Sequence, residues 1–191
     1  LLAIDEINAA GGVDGAALEP VVYDPASDPA RFRQLAERLL MEDRVSIIFG
    51  CYMSSARRAV VPVVERWNAL LCYPTFYEGF EYSPNVLYCG SVPNQTNIPF
   101  AKFLLESYGE KIYFVGSDYI FPHESNRLMR SIISKQGGTV VGERYVTLGS
   151  PARVFDVLLR EIRLARPNVI FSTVVGEDVA KLYTAFHANG C

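Results

Sequence analysis

Residues 45–75 read VSIIFGCYMSSARRAVVPVVERWNALLCYPT, and this stretch decides the fold class. It opens on an apolar run of strand length, Val45 to Phe49, turns through Gly50-Cys51-Tyr52-Met53, and continues as an amphipathic helix from Ser54 to Trp67. A second apolar run, Ala69 to Tyr73, follows at once. Two short strands separated by a helical crossover are read as parallel neighbours, because antiparallel strands need only a tight turn between them. Parallel sheets are covered on both faces, so the unit predicts an α/β fold.

The same rhythm runs outward. Further strands are expected at Leu18 to Tyr23, Val86 to Cys89, Ile112 to Val115, Thr139 to Tyr145 and Val169 to Thr173. Helices are expected at Pro29 to Glu42, Ile98 to Tyr108, Glu124 to Lys135, Ala152 to Ala165 and Asp178 to Ala188. Turn formers and prolines at Tyr82-Ser83-Pro84-Asn85 and from Gly90 to Asn97 break the alternation. The prediction is two open parallel-sheet lobes with helices on both faces. Residues 1–97 make an N-terminal lobe and crossing segment, and 98–191 make part of a second lobe. Leu1, Ile4 and Ile7 recur at helical spacing up to Gly11-Gly12, with no Met at position 1. The chain is therefore expected to start inside a longer protein, just after a first strand, and to leave its second sheet unfinished at Cys191.

Composition narrows the function. Eighteen Lys and Arg against 21 Asp and Glu give a net charge of −3. The cations are scattered, so no nucleic-acid surface is expected. No apolar run reaches the roughly 20 residues that span a bilayer. Cys51, Cys72, Cys89 and Cys191 have no metal-site spacing. Cys51, Cys72 and Cys89 are expected as small buried hydrophobes, and such thiols favour a reducing compartment. No metal and no cofactor is expected.

Ligands of open α/β sheets sit beyond the carboxyl ends of the strands. Four loops there combine hydroxyls and aromatic rings: 50–55, 73–79, 116–122 and 172–178. The first runs into a helix with Ser54 or Ser55 as N-cap. Tyr52, Tyr73, Tyr77 and Tyr119 have the makeup to enclose a planar amide, although tyrosines also pack between elements. Glu78, Glu81, Glu177 and Asp178 lie in or beside these loops, where solvated charges are the commoner reading. The hydrolase, metalloprotease, phosphate-loop and dinucleotide signatures are missing, and His123 and His187 have no sequence-evident partner. The protein is expected to bind without catalysis.

Taken in order, the loops carry a resemblance. Gly50-Cys51-Tyr52-Met53-Ser54, the run from Arg57 to Arg66, Leu70 to Thr75, Tyr77 to Asn85, Pro93-Asn94-Gln95, Gly116 to Ile120, Glu124-Ser125-Asn126 and Phe171 to Gly176 resemble the amide receptors that negatively regulate bacterial aliphatic amidase operons. The wider resemblance is to the type I periplasmic binding proteins, including urea- and short-chain-amide-binding components of ABC transporters. It implies two α/β lobes closing on a buried amide or urea. It places Tyr52, Ser54, Tyr73, Thr75, Tyr119 and Thr173 in the pocket, with Phe121 as a further wall. Phe76 and Phe121 depart from the Pro and Tyr of the regulators, and Tyr119-Ile120-Phe121-Pro122 looks more like the urea-binding transporters. Glu177-Asp178 also departs, with room for a partly cationic ligand. A regulator would work in the cytoplasm on an antitermination protein. A transporter component would work in the periplasm, or as an extracytoplasmic lipoprotein, with an ABC permease. Association with a second copy stays open in both.

Overall fold

From Ile112 onward the strand Lys111–Ser117 is buried at every position, as a central parallel strand covered on both faces must be. It is the fourth strand of a structure described, as a computed structural model, over residues 1–190. The elements before it are α1 (Leu2–Ala9), α2 (Pro29–Met41), β1 (Ile47–Phe49), α3 (Ser54–Arg66), β2 (Leu70–Tyr73), β3 (Val86–Tyr88) and α4 (Asn97–Tyr108). The strand itself is β4, followed by α5 (Ile120–Lys135), β5 (Thr139–Val146), α6 (Ala152–Ala165), β6 (Val169–Thr173) and α7 (Asp178–Ala188). Two separate three-stranded sheets form, with orders β1-β2-β3 and β5-β4-β6. The α/β class with parallel sheets is as expected. Two compact units result. One holds Leu1–Tyr52, Ala56–Tyr73 and Ser83–Leu87, and the other holds Met53–Ser55, Pro74–Tyr82 and the chain from Tyr88 onward.

In the first unit β1 and β2 pair in parallel, Ile47 with Leu70 and Phe49 with Cys72. Ala56, Val60, Val63 and Val64 bury one stripe of α3 at helical spacing. The strand expected at Leu18 to Tyr23 does not form. The Asn8 side chain takes both backbone groups of Leu18, accepting from its N–H at 2.7 Å and donating to its carbonyl at 2.8 Å. Pro20 removes a further ladder donor. A β-forming composition has here been overruled by a local side-chain bond.

In the second unit β4 pairs in parallel with β5 and with β6. Alternation along β4 feeds two cores. Ile112 and Phe114 join Ala101 and Leu104 of α4, Met129 and Ile133 of α5, and Phe171 of β6. Tyr113 and Val115 join Phe155, Leu158, Leu159 and Ile162 of α6 and Leu182 and Ala185 of α7. α5 starts at Ile120, four residues before the expected Glu124. Pro122 belongs to its first turn, where a missing N–H leaves no helical bond unmade. No helix among the described residues is long and apolar enough to cross a membrane.

Candidate functional site

Of the second sheet's strands β4 comes first in sequence, with β5 on one side and β6 on the other, so the winding reverses between β4 and β6. The crevice beyond their carboxyl ends is where an open α/β sheet receives a ligand. Ser117 ends β4, and its Oγ accepts from the Val175 N–H at 3.1 Å, tying the loop after β6 to the end of β4. Gly116 makes the approach possible. A Cβ there would lie 2.8 Å from both Thr173 Oγ1 and Pro122 Cβ.

Thr173 is buried, and its hydroxyl proton is shared between Asn126 Oδ1 at 3.2 Å and the Val115 carbonyl at 3.4 Å. Asn126 is fully buried, and its Nδ2 has no partner of hydrogen-bond geometry. Beside it on α5, Arg130 pairs with Glu143, which also accepts from Tyr145. Burial alone would raise the Glu143 pKa, but the bonds from Tyr145 and Arg130 outweigh it and hold the carboxyl below its ordinary value.

Tyr119 is extended just ahead of α5. Its ring centroid lies 6.4 Å from that of Phe121, which meets Phe76 edge-on at 5.1 Å. Phe76 belongs to a loop, Pro74–Tyr82, held by several contacts. The Tyr77 N–H donates to the Ser91 carbonyl at 3.0 Å, Tyr77 stacks on Tyr88 at 4.2 Å, and the Arg127 guanidinium sits 4.0 Å from the centre of the Phe80 ring. Gly90 allows the Thr75 backbone to pass, since a Cβ would lie 2.2 Å from the Thr75 carbonyl oxygen. On this loop Glu78 is 4% exposed, Ser54 is 2% exposed, and the Ser54 hydroxyl donates to the Glu78 carboxylate at 2.9 Å. Ser54 is the first residue of α3, and its hydroxyl is directed to Glu78 in place of the expected cap.

Tyr52 and Tyr73 belong to the first unit. Cys51 takes a left-handed backbone, φ +68°, to turn the chain out of β1. The buried Tyr73 donates its hydroxyl to the Tyr52 carbonyl at 3.1 Å, and the Arg57 guanidinium lies 4.7 Å from the centre of the Tyr73 ring. The Tyr52 side chain is exposed. The Tyr73 hydroxyl thus helps to hold the loop after β1.

The structure thus brings Ser54 to Glu78, places Tyr119 and Phe121 beside Phe76, and anchors Thr173 on Asn126. Sequence reading missed Asn126 as a functional candidate and took Glu78 for a solvated charge. Asp178, expected among the solvated charges, is buried. It accepts from the Gly149 N–H at 2.8 Å and from Lys181 at 2.7 Å, so these groups and not a ligand balance it. His123 is exposed, with Nε2 2.8 Å from Asp118 and its ring stacked 3.7 Å from that of Tyr145. Cys51 and Cys72 are buried as expected, whereas Cys89 is exposed at the end of β3. Cys191 lies outside the described residues. Among those residues no group of three or more His, Cys, Asp or Glu could hold a metal.

The chain is 37% identical over 75 residues to the leucine-, isoleucine-, valine-, threonine- and alanine-binding protein of Pseudomonas aeruginosa, covering 39% of this chain and 20% of that protein. It is 27% identical over 125 residues to Leu/Ile/Val-binding protein homolog 6 of Brucella abortus, covering 63% of this chain and 32% of that protein. The solute-binding protein of an ABC transporter from Rhodopseudomonas palustris, solved with p-hydroxybenzoic acid, superposes with a TM-score of 0.83 at 22% identity. That match covers 99% of this chain and 52% of the other, so the chain spans about half the length of that structure. A family model, the periplasmic binding protein domain, matches residues 1–191. With its sheets, its strand-end loops and this match over every residue, the chain belongs to the periplasmic binding protein family.

Proposed function

We propose that this chain is part of the substrate-binding component of an ABC transporter, and that its ligand is urea or a short-chain amide. The observation that carries the reading is the Phe76–Phe121 contact in the second unit. It brings the loop bearing Thr75 and Glu78 beside Tyr119, at the end of the central strand. Paired aromatic rings at a strand end suit a small planar molecule. The loops quoted above, read as a resemblance, point to the same ligand class.

The relatives bear on the role. Both curated relatives are binding proteins, and the Rhodopseudomonas protein is a transporter's solute-binding protein. They favour transport, outside the cytoplasm, over the expected cytoplasmic regulator, and binding over turnover. The amino acids for which the two curated relatives are named also define the competitor that the site must reject. The regulator reading rests on the amidase-regulator resemblance alone.

Deleting the gene and following uptake of labelled urea and acetamide at low concentration tests the proposal. Loss of uptake with amidase expression unchanged is the expected result. Normal uptake with altered amidase expression would replace the transporter by the regulator, and release of ammonia by the purified protein would replace both with an enzyme.

A further inference from the structure

The Ser54 hydroxyl has one proton, and that proton goes to a buried carboxylate. A hydrogen bond to a charged group is about twice as strong as one between neutral groups. Rotating the hydroxyl toward a ligand carbonyl would break that bond to a buried carboxylate. Ser54 therefore offers only lone pairs. Thr173 is in the same condition, its proton shared between Asn126 and the Val115 carbonyl. Two of the second unit's candidate binding hydroxyls are thus acceptors toward anything that arrives.

We infer that Ser54 and Thr173 receive N–H groups of the ligand, and that Glu78 and Asn126 are positioning residues which fix this polarity by holding the two hydroxyl protons. The inference rests on the proposed function and sharpens it. The preferred ligand is rich in N–H donors, as urea is with its two amino groups. A carboxylate of the same size brings only acceptors to two acceptor oxygens and is rejected.

The test is calorimetry of the intact protein with urea, acetamide and acetate, in a cycle of Glu78→Gln, Ser54→Ala and the double variant. A neutral amide at 78 no longer commands the Ser54 proton, so Glu78→Gln should lower the affinity for urea about tenfold relative to acetate. In the Ser54→Ala background the same change should have no further effect, because Glu78 acts through Ser54. An equal effect in both backgrounds, or an unchanged urea-to-acetate ratio, overturns the inference while the proposed function stands. If Glu78→Gln does not fold, Thr173→Val and Thr173→Ser decide. Valine should lose about tenfold for urea and serine should retain it, and equal binding by both overturns the inference. Wild-type protein that binds neither urea nor acetamide overturns the proposed function and the inference with it.

Discussion

Asp178 shows how a buried charge at a helix start is held. Burial alone would raise its pKa, but the Lys181 ammonium and the Gly149 N–H outweigh that and lower it. A carboxyl depressed in the folded state stabilises the fold above its unfolded pKa, about 3.9, and this contribution is lost as pH falls through the folded value. Thermal melts of wild type and Asp178→Asn should therefore differ most near neutrality and converge on acidification below pH ~4, and a constant gap would refute this. Burial pushes the Cys51 thiol up to about 12, against the opposing charge of Arg57. A thiol reagent at mild alkaline pH should accordingly label Cys89 and spare Cys51 and Cys72, and Cys89→Ser should remove that labelling. In the site, Ser54→Ala should weaken urea or acetamide binding by one to two decades, about 1–3 kcal/mol, and should also lower the melting temperature, because it removes a donor to the buried Glu78 carboxylate. Ser54 follows the turn after β1 and Thr173 closes β6, so both stood out as candidates from their place at strand ends. Glu78 did not, because an acidic residue in a Tyr-Glu-Gly loop looks solvated until the loop is seen to fold back, and Asn126 was hidden within a helix pattern.

At the scale of elements, the βαβ unit of residues 45–75 and the strands and helices beyond Asn97 were legible, since their apolar periodicity agrees with their burial. The two misjudged stretches had a proline in common. Pro20 sits in a segment pinned by Asn8, and Pro122 opens a helix that it was expected to precede. The Asn8 partner could not be read from local pattern. Close backbone approaches were equally invisible, although they shape the site. Gly90→Ala would place a methyl 2.2 Å from the Thr75 carbonyl oxygen, with only backbone to yield. The substitution should displace the Pro74–Tyr82 loop, destabilise by about 1–3 kcal/mol and weaken ligand binding. Thermal melts and calorimetry on the same sample check both, and an unchanged affinity would show that the loop does not reach the ligand.

For the whole molecule, the sequence rhythm carried the α/β class, and the match over residues 1–191 carries the family. Ligand choice is the property that neither fold nor family fixes, because similar scaffolds bind amino acids in one relative and an aromatic acid in another. In the proposed reading it rests on a few strand-end groups whose hydrogen-bonding sense decides what is admitted. Titration calorimetry of the intact protein with urea, acetamide and leucine measures that choice directly. The account predicts saturable binding of urea or acetamide at one site, with leucine giving no heat. Tight binding of leucine with no response to urea or acetamide would contradict it.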